Sequence, residues 1–484
     1  MTRLAVLTIL LCTLQLFAQP PEVEWTRTFD VAGFVDVPYM PCQTYDNGCV
    51  IPETHQSDDS YFCSLRKLDS SGTSLWYSEI HSRINIDIYQ VRENHDRNLV
   101  VVGTMWAVPD TFARTVLMEF DEFGDSLRTF EFSSDTAHFT MYALDVCADG
   151  GYLLGGEVSS PGNFAPTFGR VVKTTSDGEV VWETSIGGVR YTPIYDIIET
   201  PDGGCFASLV TNDIPEEYDV GAVKIDAGGN IEWGYSFDNP SLTDEGWAVG
   251  LTADGGYLVG GAVYHEATGR DFFVARLDSA GHELWTRTLD HNLPLQLPNW
   301  ETVHMIEELP DGDIVMVGSV EPLVYVEISL LIARLDPAGN VRWHDVYAQN
   351  YWNYGCLLTD DLHVIGTGWS STAPSRSFVF KTAALSVTDP AENDRFIAED
   401  FDVQVYPNPF NSAARVSFDI PSSSPVKVLA YDLLGRQARV LADRQFAAGK
   451  HVLTFDGTGL AGGTYFIRVE AGQESKVVKT MLLK

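Results

Sequence analysis

Positive charge is scarce in this chain. Lysine and arginine together number 31 against 67 aspartates and glutamates, a formal net charge of −36 over 484 residues. A field of that sign repels phosphate backbones and anionic bilayers, so nucleic acid is excluded as the expected partner, and the acidity reads as solubility for an exposed surface. Long apolar runs are missing beyond the N-terminal segment, which excludes a later membrane span. Catalytic signatures are missing too: there is no G-x-S-x-G elbow, H-E-x-x-H, P-loop or C-x-x-C, and the 11 histidines are scattered. His344 and Asp345 are adjacent, but strand alternation sends such neighbours to opposite faces. No catalytic, metal or cofactor residue is assigned on this basis, and the reading leans away from an enzyme.

What is present begins with "MTRLAVLTILLCTLQLFAQ", in which a basic Arg3, an apolar run from Leu4 to Phe17 and Ala18 before Gln19 describe a signal peptide over residues 1–18. Export is the expected consequence. Leu11 before Cys12 lacks the small residue a lipid-anchor signal needs. Cleavage would leave Cys42, Cys49, Cys63, Cys147, Cys205 and Cys356, an even set that permits disulfides, with a local bridge among the first three as the candidate. Cys49 and Cys205 follow Asp-x-Gly turns where other copies carry Tyr152 and Tyr257, and so read as small buried apolar residues.

The copies belong to a repeat. A landmark aromatic or basic residue recurs at Trp76, Arg128, Trp182, Trp233, Trp285 and Trp343, with gaps of 52, 54, 51, 52 and 58 residues. An Asp-Gly type turn falls at Asp46, Asp96, Asp149, Asp202, Asp254, Asp311 and Asp360 with about the same period. Each copy reads strand, Asp-Gly turn, strand, variable loop, strand, "LDxxG" turn, strand, with β-branched and aromatic runs between turn formers. Such four-stranded sheets bury both faces only when packed radially, so the expected fold is an all-β, seven-bladed β-propeller over 19–384. The last copy, Cys356 to Thr382, lacks its Trp-bearing strand, and "VEWTRTF" with Trp25 stands alone 51 residues before Trp76. Closure of the ring by that N-terminal strand is expected.

"KLDSSGTSLW", "KIDAGGNIEW", "RLDSAGHELW" and "RLDPAGNVRW" resemble the tryptophan-bearing blade motif of quinoprotein-type propellers and their non-enzymatic relatives, and share Asp, Gly and Trp with the Asp-box of sialidase-like propellers. The resemblance covers a turn and a strand per blade, and in both families these turns serve structure. Acidic stretches at Ser57–Ser60 and Asp121–Asp125 suggest calcium only superficially. Asp121 is the repeat's turn aspartate, matched by Asp69, Asp226, Asp278 and Asp336, so turn capping is the expected role.

Residues 385–402, "LSVTDPAENDRFIAEDFD", break the pattern with Pro and charge and read as a linker. Beyond them, 403–484 alternates apolar and polar positions in short strands of a small immunoglobulin-like β-sandwich. "YPNPF" (Tyr406, Pro407, Asn408, Pro409, Phe410), "YDLLGR" with Gly435, "GLAGGTYFIRV" with Gly462, Gly463 and Tyr465, and the closing "KTMLLK" to Lys484 resemble the type A C-terminal sorting domain of type IX secretion. That resemblance implies partners in the type IX machinery, commonly a sortase-like peptidase that removes the tail, and delivery to the outer cell surface or the medium. Pro407 and Pro409 would fix an extended entry to the first strand and the glycines tight turns.

For the body of the chain the functional hint is aromatic. Trp106, Trp300, Trp352 and Trp369 fall outside the repeated Trp position, on or beside variable loops, where a rigid scaffold presents recognition residues. The expected function is a secreted or surface-attached binding module for a polysaccharide or protein ligand. The alternative is a propeller-type glycan hydrolase or lyase, distinguished by carboxylates converging with Tyr or Arg at the axis with perturbed acidities. A quinone-dependent dehydrogenase is the weakest reading, since it has no locatable cofactor pocket.

Overall fold

The computed structural model describes residues 20–484 except 58–59, 81–84, 107–111, 161–166, 188–191, 212–217, 238–243, 266–268, 290–298, 323–328, 348–351, 371–375, 387–402, 407–409, 412, 421–423, 433–435, 447–448, 472–473 and 483–484. The signal peptide, most of the linker, Pro407, Asn408, Pro409, Gly435 and Lys484 therefore lie outside the described residues. Among the described residues the regular elements are strands, and the chain divides into two compact bodies, Met1–Val387 and Thr388–Lys484. No helix among the described residues is long and apolar enough to cross a membrane.

The larger body is propeller-like. Residues 85–132, 138–186 and 194–237 each form a four-stranded antiparallel sheet in sequence order. Residues 35–80 form another, whose innermost strand is split into Val35–Pro38 and Cys42–Gln43. Units 245–289 and 299–347 are similar and are joined where Gly269 and Arg270 pair in parallel with Asn299 and Trp300. The last sheet draws on both ends of the body: Val23–Phe29 pairs antiparallel with Ser377–Thr382, which pairs with Val364–Trp369 and through it with Trp352–Leu358. The middle strands of a unit, such as Leu99–Trp106 and Ala113–Phe120, are buried on both faces and read as near-continuous apolar runs. The outermost strand, such as Val180–Ile186, alternates exposed with half-buried positions because it forms the edge.

The repeated turn and the repeated tryptophan are two halves of one joint. Asp226 Oδ1 accepts the amides of Gly228 and Asn230, at 2.9 and 2.8 Å, and so fixes the "DAGGN" turn. The same pair of bonds recurs at Asp69, Asp121, Asp278 and Asp336, so these aspartates cap turns as expected. The turn glycine, Gly229 at φ +84°, leaves a flat site for the Trp182 ring of the preceding unit, and a Cβ there would meet the ring at 2.7 Å. Trp182 Nε1 then donates to Ala227 O at 3.1 Å. Trp76 and Trp285 make the same bond to Glu122 O and Pro337 O. Trp25, on the N-terminal strand, donates to Ser70 O and lies on Gly72, so that strand does for unit 35–80 what the outer strands bearing Trp76, Trp182 and Trp285 do for the units that follow them.

The Asp-x-Gly turn has its own anchor. Asp202 bonds the Lys224 ammonium at 2.8 Å, and Asp46 and Asp149 bond Lys67 and Lys173 likewise. In the final unit this turn position belongs to Asp361, not Asp360: Thr359 Oγ1 donates to Asp361 Oδ1 at 2.6 Å, as Thr200 does to Asp202 and Thr252 to Asp254.

The six described cysteines are free and buried, so the local bridge expected among Cys42, Cys49 and Cys63 is not formed. Cys42 and Cys63 pack with Ile88, while Cys49 packs separately with Ile51. Burial pushes each of these three thiols up to about 12.

In the smaller body, Val403–Tyr406, Ala413–Ile420 and Gly449–Asp456 form one sheet, and Gln437–Phe446, Ser424–Asp432, Gly463–Ala471 and Glu474–Leu482 form a second. Their core centres on Phe410, Phe418, Phe455 and Ile467. The "YPNPF" motif ends on Phe410, 1% exposed, whose amide donates to Met481 O at 2.8 Å. Tyr465 is buried with its hydroxyl on Ala461 O, Gly462 and Gly463 are exposed, and Gly463 has φ +147°.

Candidate functional site: the axial channel and the variable-loop face

The innermost strand of each unit of the larger body carries one extra residue relative to its partner strand. The displaced residues are Tyr89, Tyr142, Tyr195, Trp247, His304 and Tyr354. Tyr39 occupies the corresponding irregular step of unit 35–80. A bulge re-aims its side chain, and from Tyr39 to His304 the rings meet in the order of their units. Centroids are 6.2 Å apart for Tyr39–Tyr89, 5.2 Å for Tyr89–Tyr142, 5.8 Å for Tyr142–Tyr195, 4.1 Å for Tyr195–Trp247 and 6.1 Å for Trp247–His304. Sequence reading missed this collar although its signal is exact: each of these aromatics stands seven residues before the turn aspartate of its unit, from Tyr39 and Asp46 to Tyr354 and Asp361.

Below the collar lies a cavity of about 520 Å³, lined by residues of all the inner strands, among them Cys42, Arg92, Asp145, Asp196, Glu307 and Leu357. Most of the acidic groups there serve the backbone. Asp145 accepts amides from Val146 and Glu199, and Asp196 from Ile197 and Val249, each thereby stapling its unit to the next. Glu93 accepts Tyr45 N at 2.8 Å, and Glu308 accepts Ala253 N while pairing with Arg276 at 3.2 Å. Asp360 N donates to Gln43 Oε1, a bond of the same kind between the last unit and the first.

Glu307 differs. It reaches water in the channel yet is enclosed by protein, and that enclosure pushes its carboxyl up to about 7. Enclosure raises Asp196 to about 6 and lowers His304 to about 4, which keeps that imidazole neutral near pH 7.

Two clusters resemble chemistry but are filled by structure. Asp36 Oδ1 lies 2.6 Å from His55 Nδ1 and Ser64 Oγ 2.7 Å from His55 Nε2, the order of an acyl-transfer triad. All three residues are at most 1% exposed, so no substrate reaches the hydroxyl, and the network cross-links strands instead. Cys147, Asp149 and Glu199 bring ligand-type atoms together. The Lys173 ammonium, 2.7 Å from Asp149, already supplies the cation, and Glu199 holds Ala148 N.

The four singled-out tryptophans divide by exposure. Trp300 is 45% exposed; the Arg270 guanidinium lies 5.4 Å from its ring centroid and makes a forked pair with Glu245, whose other bond is from Trp247 Nε1 of the collar. Trp106 is 44% exposed and is held by its Nε1 on Asp87, which also accepts the Tyr61 hydroxyl. Trp352 and Trp369 are register partners at the loop ends of their strands, in the unit that follows that of Trp300. Trp369 is half-buried, and the Trp352 side chain lies outside the described residues.

Residues 404–484 match the family described as a secretion system C-terminal sorting domain. The tail thus implies export through the type IX system to the cell surface or the extracellular space. Similar solved structures include a protein of unknown function from Bacteroides caccae, at 12% identity over 59% of this chain and 90% of that one, TM-score 0.35. PorZ, an essential surface component of the type IX secretion system of Porphyromonas gingivalis, is 12% identical over 92% of this chain and 70% of its own, TM-score 0.32. Kuenenia stuttgartiensis hydrazine synthase is 12% identical over 72% of this chain and 96% of its own, TM-score 0.47. Among curated proteins none matches.

Proposed function

We propose that this protein is a seven-bladed β-propeller, closed by its N-terminal strand, that the type IX system carries to the cell surface or medium, where it binds a polysaccharide or protein on its variable-loop face. The N-terminal pairing of Val23–Phe29 with Ser377–Thr382, the Trp25 joint and the Asp360–Gln43 bond support closure. After transport, removal of the tail by a sortase-like peptidase fits the sorting motif.

The observation that carries the binding reading is the anchoring of Trp300. An exposed indole stacked on a guanidinium, itself forked onto Glu245, is preorganised as a platform for a sugar ring or an apolar peptide group. Trp106 on Asp87 repeats the arrangement. Glycan hydrolysis or elimination is favoured by one observation, the raised carboxyls of Asp196 and Glu307 at the axis. Both oxygens of Asp196 are engaged by backbone amides, however, so only one of the pair is free for acid–base work.

The test is retention of the purified full chain on a panel of polysaccharides and extracellular-matrix proteins, with released reducing ends measured in the same tubes. Retention without product, lost in Trp300→Ala and Trp106→Ala, is expected. Product release by wild type and its loss in Glu307→Gln would replace binding with catalysis.

A further inference from the structure

Three residues after the collar, each inner strand presents one side chain at the same level of the channel: Cys42, Arg92, Asp145, Ile198, Glu307 and Leu357, with Gly250 completing the turn. Among these, Asp145 is fully engaged by amides. Arg92 and Glu307 are not. Among the described residues the Arg92 side chain has no carboxylate within ion-pair distance, and its one hydrogen bond is from Nη1 to Val91 O at 3.1 Å; among the same residues the Glu307 side chain makes neither an ion pair nor a hydrogen bond.

The order of units places them apart. Arg92 belongs to unit 85–132 and Glu307 to unit 299–347, with units 138–186, 194–237 and 245–289 between them on one side and 352–382 and 35–80 on the other. In the closed ring proposed above they face each other across the axis. Ile198 and Leu357 supply apolar wall between them, and His304 of the collar lines the same space.

A guanidinium and a carboxylate lining one water-filled space, not in direct contact with each other though near enough for Arg92 to act on Glu307 through its charge, are complementary to a molecule with the opposite pair of charges. The 520 Å³ cavity falls in the size range of small-molecule sites. A simple cation would meet Arg92 and a simple anion would meet Glu307, Asp145 and Asp196, so neither satisfies both walls.

We propose that the axial channel binds a small dipolar molecule, an amino acid or short peptide, with its carboxylate on Arg92 and its ammonium at Glu307. This rests on the closed-ring reading and is separate from whatever docks on the tryptophans. The aliphatic wall accepts the ligand's side chain, and entry is from the end bearing the Asp-x-Gly turns.

Calorimetric titration of the full chain at low salt with L-leucine and with L-alanyl-L-alanine tests this. N-acetyl-L-leucine, which lacks the cation, and L-leucinamide, which lacks the anion, are the controls. At least one dipolar probe is expected to bind, and Arg92→Gln, Glu307→Gln and loss of either ligand charge should each weaken binding by about ten- to a hundred-fold. The control ligands act on wild type and so hold even if a variant misfolds. Absence of binding by both dipolar probes, equal binding of a singly charged analogue, or wild-type affinity in both variants would overturn the proposal. Trp300→Ala should leave this affinity unchanged, which separates it from rim binding. An open ring would show itself beforehand, as a ligand-free melt unmoved by deletion of Val23–Phe29.

Discussion

Units 85–132 and 138–186 are neighbours with the same topology and opposite wiring. In the second, Lys173, one before the end of the third strand, pairs with the turn aspartate Asp149, while Trp182 covers the next unit's turn glycine. In the first, Glu119 stands at the matching position, one before the end of the third strand, and the tryptophan is replaced by Arg128. Arg128 Nε bonds Glu119, its Nη1 and Nη2 reach Asp177 and Ser176 O of the next turn, and Asn94 and Asn98 donate to the other Glu119 oxygen. Phe130, two residues on, lies against Gly178 where a tryptophan would have lain. What the repeat preserves is therefore a satisfied buried charge and a covered turn glycine, and more than one residue set provides them.

The largest effect should come from breaking that alternative set. Glu119 is 3% exposed, and Arg128→Ala removes its cation, so a loss of about 3 kcal/mol in chemical denaturation is expected. The double variant Glu119→Lys, Arg128→Trp brings the unit toward its neighbour's pattern. If the repeat works as described, it is less destabilised than Glu119→Lys alone; equal losses would show the two positions to be independent.

A smaller loss tests the other half of the joint. Gly229→Ala places a Cβ 2.7 Å from the Trp182 ring and a side chain at φ +84°, with an expected cost of about 1–2 kcal/mol. Gly203→Ala, at φ +79° with its nearest neighbour 3.6 Å away, pays only the backbone part. Equal losses at the two sites would mean that the tryptophan contact contributes nothing.

The smallest effects separate two kinds of carboxylate by pH. Burial pushes Asp202 up, but bonds from Lys224, Thr200 and the Gly204 amide outweigh it and hold the group at about 2, below its ordinary 3.8. Its stabilisation is present above pH 4 and disappears as pH falls toward 2, so Asp202→Asn should flatten the acid limb of the melting curve there. Glu307 has the opposite sign. Its folded value of about 7 lies above the ordinary 4.5, so it destabilises the fold increasingly from pH 4.5 to 7, and Glu307→Gln should melt higher than wild type at pH 7 and equally at pH 4. A uniform shift at both pH values would assign the change to packing instead.

Much of the architecture was legible because its determinants are local. The Asp-Gly turns, the apolar middle strands and the orphan strand with Trp25 are each written within a few residues, and the pairing of Val23–Phe29 with Ser377–Thr382 followed from matching two incomplete copies. The aromatic collar was equally periodic but was passed over, because one aromatic in an apolar strand looks like core until its bulge is seen. Asp36, His55 and Ser64 were invisible as a group, since they meet only through the pairing of three strands.

The sequence by itself determined a repeated β unit, its turn chemistry, the tail that directs type IX export and an acidic surface. Tertiary structure alone decided which charges are spent and which are free. Asp145 and Glu307 occupy equivalent positions on their strands, yet one is engaged by the Val146 amide of its own strand and the Glu199 amide of the neighbouring sheet, and the other faces open water. The second of those partners comes from another unit, 54 residues away, and depends on how the sheets stack, a geometry that no single strand encodes.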